Sequence, residues 1–123
     1  MVGSLKWLVV AMFVTSTGSY AQQAGYSYNG VLVRTACESN QISRQQACNA
    51  YISAVADVMV RGTLTLSMPD GKIRTERACV PAESDFASLR KIVLDWLDRN
   101  TNYELQNGVT VVALALSAAF PCR

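Results

Sequence analysis

The chain has 123 residues, a formal net charge of +2, 50% hydrophobic residues and no histidine. That length suits one domain of modest core, and the near-neutral balance excludes a basic field for nucleic acid or an anionic membrane surface. Without histidine the commonest general base at neutral pH is missing, so neither a Ser-His nor a Cys-His nucleophile can be built.

In chain order, the first signal is for export. Lys6 precedes an apolar run over residues 7–14, and a polar Thr15-Ser16-Thr17-Gly18 stretch leads to the small residues Ser19 and Ala21. This predicts a signal peptide over residues 1–21, cleaved after Ala21, and a mature domain over 22–123. The run is too short for a stable membrane-spanning helix, which needs about 20 apolar residues. An uncleaved anchor is the competing reading. Cleavage also removes the charge of Lys6 and leaves every acidic residue in place. All four cysteines, Cys37, Cys48, Cys79 and Cys122, fall in the mature part. An even count in an oxidising compartment argues for two disulfides. Zinc is the alternative, but there is no C-x2-C pair and no histidine, so no metal is expected.

Residues 22–29 read as a flexible lead in which Tyr26 and Tyr28 could fold back onto the body. A short helix follows over 30–37, with Val31 and Leu32, and Val33 after them, as its apolar contribution. Ser43-Arg44-Gln45-Gln46 has the form of a capping box. Behind it Cys48, Tyr51, Ile52, Val55 and Met59 recur at three and four residues along one stripe. Gly62 would end that helix in the left-handed conformation. The period then changes: Leu64, Leu66 and Met68 alternate with polar residues, and Pro69-Asp70-Gly71 predicts the turn of a small β-hairpin returning over 72–77. A two-stranded ribbon is only marginally stable alone, so it must lean on the helices or remain mobile.

After Pro81, Ser84 can cap a third helix, with Asp85 against its positive end. Phe86, Leu89, Val93, Trp96 and Leu97 form its buried stripe. It should fail at Asn100-Thr101-Asn102, whose side chains compete for backbone hydrogen bonds. The last helix starts between 105 and 108 and runs to Phe120, where Pro121 stops it. Val109-Thr110-Val111-Val112 could be a strand taken alone, but the uninterrupted length favours a helix that is apolar nearly all round and therefore central. If the last two helices are antiparallel, the end of one returns to the start of the other and brings Cys122 beside Cys79. Cys37 and Cys48 are then left for each other. Loop entropy puts the two bridges at about 3 and 4 kcal/mol, comparable to the whole net stability of so small a domain. The expected fold is therefore all-α: a disulfide-braced bundle of about four helices with a β-hairpin or extended loop between the second and third.

Catalytic equipment is not evident. Asp57, Glu83, Asp85, Asp95 and Asp98 are available, yet no spacing puts two of them at the mouth of a cleft. Asp57, on an otherwise apolar helix, reads as facing water or bonding to nearby backbone. Tyr51 and Trp96 read as core aromatics whose polar atoms reach the rim. Gly108 and Gly71 belong to no phosphate-cradling loop, and no cofactor is expected. By elimination the expected class is a binding protein, not an enzyme.

Four segments in order sharpen that reading: the run from Cys48 to Asp57, Cys79-Val80-Pro81, Ile92-Val93-Leu94-Asp95-Trp96-Leu97, and Ala113-Leu114 leading to Phe120-Pro121-Cys122. Together with the export signal and the four cysteines, they resemble the Rap/Tai family of immunity proteins. Those proteins neutralise peptidoglycan amidase toxins delivered by bacterial type VI secretion systems. Ala54 stands where the family usually has glycine, and Asn100-Thr101 where it has a His-Pro-like pair. The resemblance implies a helical periplasmic protein, often a homodimer, that binds a cognate amidase effector and blocks its groove with a protruding loop. It implies no nucleic acid, cofactor or metal, and no membrane after signal cleavage. The foremost loop is residues 64–77, with Met68, Asp70, Lys72 and Arg74 as candidate contacts; the second is 100–106. The other reading is a small periplasmic chaperone or stress-response binding protein without a toxin partner, against which the lack of histidine and the double bracing both speak.

Overall fold

The computed structural model describes residue 3 and residues 28–123. Apart from Gly3, the expected signal segment lies outside the described residues, as does the lead up to Ser27. Four helices and one hairpin follow: α1 over Gly30–Glu38, α2 over Ile42–Arg61, strands β1 (Leu64–Ser67) and β2 (Ile73–Glu76), α3 over Phe86–Arg99, and α4 over Gly108–Ala119. A 3-10 turn, Thr101–Tyr103, links α3 towards α4.

Helix α4 is the central element because its sequence offers no polar face. Every residue from Thr110 to Leu116 is buried, and the helix touches all three other helices and both strands. Its start is capped by Asn107, whose Oδ1 accepts from the Val109 N–H at 2.9 Å. The β-branched run at 109–112 is helical, as its length requires.

Around α4 the amphipathic helices bury the expected stripes, with corrections at their ends. On α2, Cys48, Ile52, Val55 and Met59 are buried and Tyr51 is half-buried. The capping box is not used. Helix α2 starts at Ile42 without a side-chain cap, and Ser43 lies inside its first turn. Ser39 organises the approach instead: its Oγ accepts from the Gln41 N–H at 3.1 Å, and its carbonyl from Gln45 Nε2 at 2.8 Å. Gly62 ends α2 in extended backbone, φ −174°, not in the left-handed region. On α1 the expectation was inverted, for Val33 is buried and Val31 exposed. The phase of a nine-residue helix is set by Cys37, which must face α2. On α3 the cap is Asp85, not Ser84, and Phe86 is 46% exposed because it is the first helical residue, beyond the end of the core.

Two disulfides brace the arrangement. Cys37–Cys48 ties α1 to α2, and Cys79–Cys122 ties the approach to α3 to the exit from α4. Beside the second bridge the Cys79 N–H donates to the Phe120 carbonyl at 2.9 Å, so α3 and α4 run antiparallel.

The hairpin is antiparallel, with Leu64 opposite Glu76 and Ser67 opposite Ile73. At its tip the Gly71 N–H donates to the Met68 carbonyl at 2.9 Å, and the Met68 N–H to the Lys72 carbonyl at 2.8 Å. Pro69 pre-sets the turn, and Gly71, at φ +81°, takes the left-handed conformation that closes it. Asp70 Oδ1 accepts from the Lys72 N–H at 2.9 Å. Leu66, 2% exposed, anchors the ribbon in the core. The Thr110 hydroxyl adds a bond to the Ser67 carbonyl at 3.4 Å.

Candidate functional site

Two segments distant in sequence meet at one groove. Its volume is about 390 Å³, and it is lined by Met68, Pro69, Asp70, Lys72, Ile73 and Arg74 from the hairpin and by Asn102 and Tyr103 from the connection between α3 and α4. All four candidate contacts, Met68, Asp70, Lys72 and Arg74, therefore lie on the same groove. Ile73, Asn102 and Tyr103 join them. For Ile73 the available signal was an apolar residue in an otherwise polar limb. Asn102 and Tyr103 belong to the second candidate loop, residues 100–106, and only tertiary packing brings them to the hairpin.

Each wall has its own support. The hairpin wall rests on Leu66, and along its rim Arg74 pairs with Glu76. The opposite wall begins where α3 fails: Asn100 Nδ2 donates to the Trp96 carbonyl at 2.8 Å, and the Tyr103 N–H to the Asn100 carbonyl at 3.0 Å. The Tyr103 ring meets buried Trp96 edge-on, with centroids 5.0 Å apart, an arrangement favoured by the quadrupoles of the two rings.

Behind this wall stands α1. Arg34 Nη1 pairs with Glu38 at 3.0 Å and with Asp98 at 2.8 Å, while Nη2 pairs with Glu104 at 3.3 Å. The hydrogen bond to Asp98 holds the guanidinium pKa above its ordinary value; desolvation opposes this and Glu38 adds to it. One cation thus joins α1, the end of α3 and the connection.

Exposed apolar side chains stand on both segments. Ile73 is 73% and Leu105 80% exposed. A larger groove of about 620 Å³ lies between α2 and the start of α3, lined by Asp57, Val60, Pro81 and Phe86 among others. Asp57 does face water there, paired with Arg61 at 3.1 Å. Tyr51 packs against Tyr28 with centroids 4.6 Å apart and the rings tilted by 41°, and its pKa is raised, first by burial and then by Tyr28. No helix among the described residues is long and apolar enough to cross a membrane.

The domain is a disulfide-braced helical bundle that presents a hairpin and a neighbouring loop at a common groove. The family of Rap1a immunity proteins matches over residues 29–122, and the chain belongs to that family. No curated protein and no solved structure matches it.

Proposed function

We propose that the protein is a periplasmic immunity protein that blocks a peptidoglycan amidase toxin delivered by a type VI secretion system. Membership in an immunity family supports a toxin as the partner. Two disulfides suit an oxidising compartment, to which residues 1–21 would direct the chain as a cleaved signal. The observation that carries the mechanism is the convergence of the hairpin tip and residues 102–103 on one groove.

Occlusion needs no chemistry from the blocking protein. It needs a surface whose shape exists before binding, so that little ordering cost is left to meet on association. The hairpin supplies such a surface: the turn is closed by backbone hydrogen bonds and the ribbon is seated by Leu66. In this reading Met68 and Ile73 enter the apolar part of the amidase cleft, and Lys72 and Arg74 meet acidic groups at its rim. A homodimer would present two such surfaces.

The test is purification of the mature, oxidised chain with the secreted amidase encoded beside it. The expected result is a stoichiometric complex and loss of peptidoglycan cleavage. Joint reversal of Lys72→Glu and Arg74→Glu should weaken binding at least about tenfold, since like charges facing each other across an interface are strongly unfavourable. Absence of a complex at micromolar concentration would remove the proposal.

A further inference from the structure

We infer that α1 is the positioning element of the groove, with Gly30 and Arg34 holding the Tyr103–Glu104 wall in place for the partner. The inference rests on the reading of the groove as the binding face. Neither residue lines the groove, so both would act through the wall.

Gly30 and Arg34 are one helical turn apart and so lie on the same side of α1. That side is stitched to the connection. The first N–H groups of a helix have no partner within it. Here the Gly30 N–H donates to the Gln106 carbonyl at 3.0 Å, and the Val31 N–H to the Glu104 carbonyl at 2.9 Å. The connection therefore serves as part of the α1 cap, and the two segments form one hydrogen-bonded unit. The approach is too close for any side chain: a Cβ on Gly30 would stand 2.8 Å from the Glu104 carbonyl oxygen and 2.9 Å from that of Tyr103. Both obstacles are backbone, so a substitution must push the wall itself.

Arg34 sets the outer end of the same contact. Its guanidinium is shared by Glu38, Asp98 and Glu104. Removing the cation would do more than delete three ion pairs. Three carboxylates gathered around one point would then repel one another, and the one on the short connection, Glu104, has the least to hold it. Tyr103 is its direct neighbour in the chain, so movement of Glu104 is movement of the groove wall.

The test compares the oxidised wild-type chain with Arg34→Met, Arg34→Lys and Gly30→Ala. Residue-resolved amide hydrogen exchange would be read beside the affinity for the co-encoded amidase. The amides of Tyr103, Glu104 and Gln106 are hydrogen-bonded within the connection, which makes them suitable reporters. In Arg34→Met these amides should lose nearly all protection and exchange close to the rate of an unstructured peptide, with α4 unchanged, and the amidase should bind about tenfold more weakly, as expected if the closed wall is populated only about a tenth of the time. Arg34→Lys, which keeps the charge but loses the planar fork, should fall between. Gly30→Ala should move the same way, and if it does not fold the two Arg34 variants decide. Exchange rising equally through α4 would mean general destabilisation and overturn the inference. So would an unchanged connection, or a loosened connection with wild-type affinity. An amidase that ignores the wild-type chain sinks the groove reading and this inference with it; one that binds wild type and Arg34→Met equally sinks the inference alone.

Discussion

Asp85 shows how one side chain sets the start of a helix and ties it to pH. Its Oδ1 accepts from the Ser88 N–H at 2.8 Å and its Oδ2 from the Ser88 hydroxyl at 2.9 Å. Those bonds, the backbone one first, hold the carboxyl below its ordinary value of 3.8. A carboxyl whose pKa is lowered by folding adds stability that is complete above the unfolded value and is lost as pH falls through the folded one. Asp85→Asn keeps an acceptor but no titrating charge. The variant should therefore show a lower denaturation midpoint than wild type at neutral pH, and the gap should close below the ordinary carboxylate range. Denaturant titrations at several pH values would check this, and a gap independent of pH would contradict it. Ser84 is the cap expected from sequence, and the backbone path after Pro81 gives that place to its neighbour Asp85.

At the scale of elements, the hairpin is held by one deep anchor. In β1 only Leu66 is buried, while every residue of β2 except Glu76 is exposed. An isolated ribbon would be marginal, so the attachment to α4 through Leu66 and Thr110 determines whether the tip is presented in a fixed place. Leu66→Ala should cost about 2–5 kcal/mol and should loosen the tip without altering the turn, whose bonds lie within residues 68–72. Chemical denaturation gives the first quantity and exchange at the Gly71 amide the second; a loss below about 1 kcal/mol would mean that the ribbon sits elsewhere. The period-two alternation in 64–68 made this hairpin legible. Its partner across the groove was less so, because nothing local relates Tyr103 to Met68.

For the whole molecule, the two bridges differ in access. Cys37 and Cys48 are buried at 6% and 1% exposure, whereas Cys79 is exposed and Cys122 half-buried. Thiol exchange requires a thiolate to reach sulfur. Limiting reductant should therefore open Cys79–Cys122 first, and alkylation with peptide mapping should label those two cysteines before the others. Loss of that bridge removes the larger closed loop, a stability loss of about 4 kcal/mol by loop entropy, and frees the C-terminal end of α4 from the approach to α3. Equal labelling of all four cysteines from the outset would contradict the order.

Local chemistry thus determined the element types and the buried stripes of α2 and α3. It also marked the hairpin turn, the break at Asn100 and the central place of α4, since each follows from periodicity or backbone preference within a few residues. The antiparallel return of α4 beside α3 is likewise readable, because a short connection leaves little alternative. Tertiary structure decided the rest. It turned Val33 inward in place of Val31, left the Ser43 box unused, and set Phe86 outside the core. It also brought residues 102–103 to the hairpin and set α1 behind them. Those outcomes depend on contacts between segments seventy or more residues apart, such as Arg34 with Glu104. No local pattern encodes them, for they arise only when the α4 core fixes where each helix must lie.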